Sequence, residues 1–377
     1  MSSRRTLVGW LVAVVLVSLN MRPAIASVPP IVDEIREAYA LSGAEAGALT
    51  ALPVVCMGVF APAAAWLSAR WGTGRVVAAA LALLTAATLV RPLGGPALLF
   101  AGTFAIGVGV AVGGALLPAL VRSRFPDRVG PMTGVYTTAL IGGALVAAGV
   151  TPLPAPWRAA LAFWALPAAV ALAVWLAVRP AGPAVSPASA SSWSPWRSRP
   201  AWLATVYMGG QSLLFYAVLA WLPARYTDLG WTPRAAGGLL ALFSAAQLVT
   251  ALGLPVLARR DPRPAIAGAL ATTMASLVLV AVVPLAAPAV WAVLLGLGVG
   301  GSFALALTVV GQVAPTPSDT ARASGMAFFV GYLFAALGPV AVGLLHDTTG
   351  DYRWPFLSLL VVGVVALAAA LPAARPR

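Results

Sequence analysis

The chain has 377 residues, 61% apolar and only 9% charged, against roughly 25% charged in a typical soluble domain. So few polar side chains exclude a water-soluble globule, and so much apolar surface excludes disorder. The formal net charge of +13 comes from 23 basic and 10 acidic residues, every base being arginine, and the position of those arginines decides whether nucleic acid is a partner.

Arg4 and Arg5 precede an apolar run, as in a signal peptide. The run continues past Asn20 without a marked cleavage site, so it reads as a retained first span. A transmembrane helix takes ~20 mostly apolar residues. Twelve runs qualify: 7–30, 43–68, 74–91, 96–121, 129–152, 157–178, 200–225, 232–258, 264–285, 287–313, 320–345 and 353–372. They are too long, and too little alternating, for barrel strands. Between the sixth and seventh lies Arg179–Arg199, rich in Ala, Pro and Ser, which reads as a linker. The chain then divides into 1–178, the linker 179–199, and 200–377. Trp193, Trp196 and Trp221 are expected as interfacial anchors.

With the N-terminus in the cytoplasm, sixteen arginines and three acids fall on the cytoplasmic side, six arginines and seven acids on the outer side. That asymmetry fits N-in, C-in topology. The basic residues are scattered over short loops, so the high charge reports topology and gives no support to nucleic-acid binding. One arginine, Arg22, is left inside a span.

The halves repeat. Ala46-Gly47 answers Ala236-Gly237, Ala69-Arg70 answers Ala258-Arg259, and Gly107 and Gly109 answer Gly296 and Gly298, at an offset of 189 or 190. A six-plus-six duplication about a cytoplasmic linker resembles the major facilitator superfamily, in which two bundles rock about a midplane site. The turn after the second span, Leu67-Ser-Ala-Arg-Trp-Gly-Thr-Gly-Arg75, resembles that superfamily's G-x-L-x-D-R-x-G-R loop. Arg70, Gly72 and Arg75 carry the likeness, and Ala69 stands where the motif has its acid. A short basic turn obeying the positive-inside rule is the plainer reading of the same arginines.

Other segments resemble one branch, the cyanate permease and nitroimidazole transporter family. They are Leu19-Asn-Met-Arg-Pro-Ala-Ile25, Leu116-Leu-Pro-Ala-Leu120, Gln211-Ser-Leu-Leu-Phe-Tyr-Ala-Val-Leu-Ala-Trp-Leu-Pro223, Ser302-Phe-Ala-Leu-Ala-Leu307 and Gly331-Tyr-Leu-Phe-Ala-Ala-Leu-Gly-Pro339. Gly114 departs from the pattern, where an Asn is expected. The resemblance implies an all-helical twelve-span fold and traffic in a small anion or compact polar compound.

Arg22 stands out without any resemblance. It lies about fifteen residues into the first span, ~22 Å at 1.5 Å per residue. A central arginine costs about 2.5–3.5 kcal/mol on insertion scales and calls for a cavity or a partner. No acid lies deep in a predicted span, so a substrate anion is a fitting counter-ion. The alternatives are a cap on carbonyls near Pro23 or snorkelling. Asn20, Tyr136, Gln211, Tyr216, Gln247, Ser302 and Tyr332 fall on spans that line the cavity in the superfamily. Each is a candidate substrate contact or a plain helix-to-helix bond.

Cys56 and His346 are the one cysteine and the one histidine. A disulfide, a His/Cys metal cluster or a catalytic triad has nothing to be built from, and no cofactor is implied. A polytopic enzyme would need clustered titratable groups, and a sensor would add a soluble domain. The expected partners are the lipid bilayer of the plasma membrane and a small-molecule substrate, with the chain as a monomer. Asp33, Glu34 and Glu37 are the acids nearest the cavity mouth, so uniport or exchange is expected in place of proton coupling. A multidrug-type exporter is the alternative within the same architecture.

Overall fold

The computed structural model describes residues 2–151, 155–178, 193–258 and 260–374. Among these, every regular element is helical. Twelve helical stretches are long and apolar enough to cross a membrane. In order they are Val8–Tyr39, Gly43–Trp71, Thr73–Val90, Pro96–Arg124, Pro131–Val150, Trp157–Val178, Arg199–Asp228, Pro233–Leu257, Arg263–Val282, Pro288–Gln312, Asp319–Thr349 and Arg353–Ala373. They are spans one to twelve below. Alternating spans define two faces: the terminal face, holding residues 8 and 373, and the distal face at the other end.

The runs read from sequence coincide with these spans, with two extensions. Span eleven reaches Thr349, and span one reaches Tyr39 because it is built in pieces. Its first helix, Ser2–Asn20, stops where Pro23 has no N–H to donate to the Leu19 carbonyl. Pro23–Ala26 makes one further turn, Pro29–Ile31 tightens to a 3₁₀ turn, and Val32–Tyr39 completes the crossing. Span two begins with a capping box: the Ser42 hydroxyl accepts from Glu45 N–H (3.2 Å) and the Glu45 carboxylate accepts from Ser42 N–H (2.8 Å). It ends at Gly72, whose φ of 82° suits glycine. Of the linker, 179–192 lies outside the described residues. Pro195–Arg197 forms a short 3₁₀ turn, with the Trp193 carbonyl accepting from Arg322 (2.7 Å).

The sequence repeat is also a packing repeat. Span four packs on spans two and three, and span ten on spans eight and nine. Span one packs on five and six, and span seven on eleven and twelve. The repeated glycines sit at these contacts. A methyl at Gly107 would strike Pro53 and Cys56 of span two, and one at Gly296 would strike the Phe243 carbonyl of span eight. Gly109 meets span three at Ala80, and Gly298 meets span nine at Ala269 and Thr273. Close helix approach through small residues is how membrane bundles gain packing without a hydrophobic drive. Spans one to six meet spans seven to twelve chiefly through span two against eleven and span five against eight.

Candidate functional site

Arg22 occupies the break in span one. It has a φ of −114° and caps the Pro23–Ala26 turn, its carbonyl accepting from Ile25 and Ala26 N–H. Its side chain is half-buried. The guanidinium carbon lies 5.6 Å from the centroid of the Phe215 ring of span seven, a cation–π distance. Among the described residues no carboxylate pairs with it.

Phe215 belongs to an aromatic wall. Tyr216 meets it edge-on (4.7 Å) and Phe243 of span eight stacks on it (6.1 Å). Tyr332 of span eleven meets Tyr216 (6.4 Å) and Phe328 (5.4 Å). The Tyr216 hydroxyl reaches the Met57 sulfur of span two at 3.6 Å, from one half to the other. Arg22, Tyr216 and Tyr332 therefore come together at one place. Met57, Phe215 and Phe328 join them there. Phe215 was legible one turn after Gln211 in the segment quoted above, whereas Met57 carries no sequence signal.

The other expected contacts have partners of their own. Asn20 donates to the Leu16 carbonyl of its own helix (2.8 Å). Ser302 holds the Tyr207 hydroxyl through its carbonyl (3.0 Å) and its own hydroxyl (3.1 Å), joining spans seven and ten. Gln247 donates to the Phe243 carbonyl one turn back (3.4 Å). Gln211 donates to the Met208 carbonyl (3.1 Å) and the Ser212 hydroxyl (2.6 Å), while its Oε1 is buried with no partner. Tyr136 packs half-buried against the core. At the loop motif, Arg70 lies over the Trp66 ring (5.7 Å) and Arg75 is exposed.

Three arginine and tryptophan placements differ from expectation. Arg91, expected in a loop, is 0% exposed. Burial lowers its pKa to about 10, so it stays charged at neutral pH. Arg225 is buried at the end of span seven, bonded to the Ala281 carbonyl (3.3 Å) and 3.8 Å from Asp228. Trp221 is 1% exposed and donates to the Pro339 carbonyl (2.7 Å), so it is a wedge between spans seven and eleven and no interfacial anchor.

At the distal face the halves are clasped. Asp347 of span eleven accepts from the N–H groups of Gly43 (2.9 Å) and Ala44 (3.2 Å), capping span two across the interface. Arg36 lies 3.7 Å from Asp347 and 3.9 Å from Asp33, and Thr227 of span seven donates to Asp33 (2.6 Å). Gly43 meets Gly343, and Gly47 meets Pro339, so closely that a methyl on any of these glycines would collide with the opposite backbone.

Twelve apolar helices in a repeated six-plus-six packing, with a half-buried charge between the halves, have the architecture of a multi-pass membrane transporter. The major facilitator superfamily profile matches residues 10–316 and 222–377. The cyanate transport protein CynX of Escherichia coli (strain K12) is 34% identical over 368 residues, covering 95% of each chain. The 2-nitroimidazole transporter of the same organism is 32% identical over 375 residues, covering 97% of this chain and 95% of its own. A bacterial homologue of the lysosomal transporter Spinster, solved in an inward-facing and unoccupied conformation, superposes with a TM-score of 0.82 over 98% of this chain and 97% of its own, at 13% identity. The chain belongs to the major facilitator superfamily and resembles its cyanate and nitroimidazole branch. It is a multi-pass plasma-membrane transporter and not an enzyme.

Proposed function

We propose that this transporter carries a small anion or compact polar compound of the cyanate or nitro type, with Arg22 as the electrostatic anchor. The observation that carries the reading is the Arg22 guanidinium itself. It is a fixed cation half-buried between the halves, set against a ring face, with no carboxylate paired to it among the described residues. A desolvated arginine offers forked, charge-assisted hydrogen bonds to a planar anion. The flat rings of Phe215, Tyr216 and Tyr332 suit a flat partner beside it. The transport of cyanate and of 2-nitroimidazole by proteins a third identical supports the same substrate class.

On this reading residues 1–178 and 200–377 are two bundles joined by the linker 179–199. They rock about the site as a monomer, with the terminal face cytoplasmic, and Asn20, Tyr136, Gln211, Gln247 and Ser302 lie along the path. The distal clasp is then the seam that opens when the site turns outward. Inward movement of an anion opposes an inside-negative potential by ~2.3 kcal/mol per charge per 100 mV, so accumulation requires exchange or a co-transported proton. The aromatic wall favours one second reading, export of neutral organic compounds.

The test is flux of labelled cyanate into liposomes holding the purified protein. Wild-type protein moves it and Arg22→Ala does not, at unchanged melting temperature. Undiminished flux by the variant removes Arg22 from the site. A thermal-shift panel of cyanate, nitrate, nitrite, short carboxylates and nitroimidazoles separates the readings, because a ligand stabilises the fold that binds it. Stabilisation by lipophilic cations alone sinks the anion reading.

A further inference from the structure

We propose that Arg91 is a positioning residue for Arg22, locking the broken turn of span one from beneath. In a continuous helix the Val28 N–H would bond the Ala24 carbonyl four residues back. Here it bonds Ile25 instead (3.3 Å), as the chain tightens toward its 3₁₀ turn. The Ala24 carbonyl is thereby released from the helix. Arg91 takes it up: Nη1 donates to Ala24 O at 3.0 Å, and Nη2 to the Ser27 hydroxyl at 3.3 Å. Both acceptors lie within five residues of Arg22, on the same short turn that Arg22 caps.

The surroundings are built for this one side chain. Arg91 closes span three, its N–H bonded to Ala87. Gly102 of span four leaves room for it, since a methyl there would collide with the Arg91 side chain. The guanidinium is fully enclosed, and its Nε has no partner. A buried charge held by neutral acceptors is costly. Its two described hydrogen bonds go to a segment that no other side chain holds by a described hydrogen bond at Ala24 or Ser27. Gly143 of span five packs against the break at the Leu19 carbonyl and Pro23. The turn is thus held by spans three and five together, and the direction in which Arg22 leaves the backbone is held with it.

This inference rests on Arg22 as the anion anchor, so its experiment has two independent arms. In the first, amide hydrogen exchange is followed over residues 19–31 of the full-length protein. Exchange speeds about tenfold in Arg91→Gln and less in Ser27→Ala, as expected for loss of hydrogen bonds from a charged donor; Arg91→Lys, which keeps the charge but not the fork, recovers part of the protection. In the second, cyanate flux into liposomes is measured for the same variants. Arg91→Gln raises KM about tenfold with the maximal rate within about twofold, Ser27→Ala raises it less, and Arg91→Lys falls between Gln and wild type. A merely structural role would lower the amount of active protein and leave KM alone. Should Arg91→Gln fail to fold, Ser27→Ala decides: faster exchange with a raised KM supports the proposal. Unchanged exchange, or unchanged KM, overturns it. Normal cyanate flux by Arg22→Gln overturns the anchor instead, and the exchange arm still reports whether Arg91 holds the turn.

Discussion

Span one and span seven hold the same place in their respective halves, each packed on the fifth and sixth helices of its own six. Span seven is one unbroken helix of 30 residues, Arg199–Asp228, with the Ser198 hydroxyl accepting from Ala201 N–H at its start. Pro200 lies in its first turn, and the one proline inside it, Pro223, lies near the distal end. Span one carries three prolines, Pro23, Pro29 and Pro30, in its middle and is built from four pieces. The unbroken helix keeps its carbonyls for itself except at Leu219, opposite Pro223, and offers ring faces, Phe215 and Tyr216. The broken one releases carbonyls that other groups must satisfy, and exposes a charge at the break. A duplicated scaffold has thus been made asymmetric at one turn, with charge from one half and aromatic surface from the other.

Removing the charge tests that asymmetry most severely. Arg22→Ala should lower cyanate flux about a hundredfold, the value of two charge-assisted bonds, with far-UV circular dichroism unchanged. Restoring the helix is the next most severe test. Pro23→Ala gives residue 23 an N–H for the Leu19 carbonyl, so flux should fall about tenfold while the melting temperature holds or rises. A substituted protein that still transports normally would show that the break is incidental. Pressing on the break from span five comes third. Gly143→Val forces a side chain into the Leu19 carbonyl, and should destabilise by about 1–3 kcal/mol in thermal unfolding. The smallest effect is expected on the aromatic side. Tyr216→Phe removes a hydroxyl whose described partner is the Met57 sulfur at 3.6 Å, so KM for cyanate should change less than about threefold.

The spans were legible because apolar runs of that length have few other uses, and the repeat was legible because the same glycines recur where helices touch. Arg22 was legible because it sits far from either end of a run. Arg91 was not, because a hydropathy profile cannot tell an arginine that ends a span in water from one folded beneath a neighbouring helix. The short Pro92–Gly95 turn after it, and Gly102 opposite, are the signals that fit its burial. Trp221 failed for the same reason, as position along a span says nothing about which side faces lipid. The partners of Asn20 and Ser302 were hidden because a polar side chain in a helix chooses between its own backbone and a neighbour by geometry alone.

The glycine seam at the distal face bears on insulation. If Arg22 anchors an anion as proposed, a seam that let anions seep past would turn a carrier into a leak. Where Gly43 meets Gly343 and Gly47 meets Pro339, backbone lies on backbone with no room for even a methyl group, so no file of water molecules, each about 1.4 Å in radius, can thread between spans two and eleven there. Beside that backbone contact the joint is held by Asp347, which accepts from Gly43 and Ala44 N–H, and by Arg36 3.7 Å from Asp347. On the alternating-access reading proposed above, a joint so close would act as a gasket.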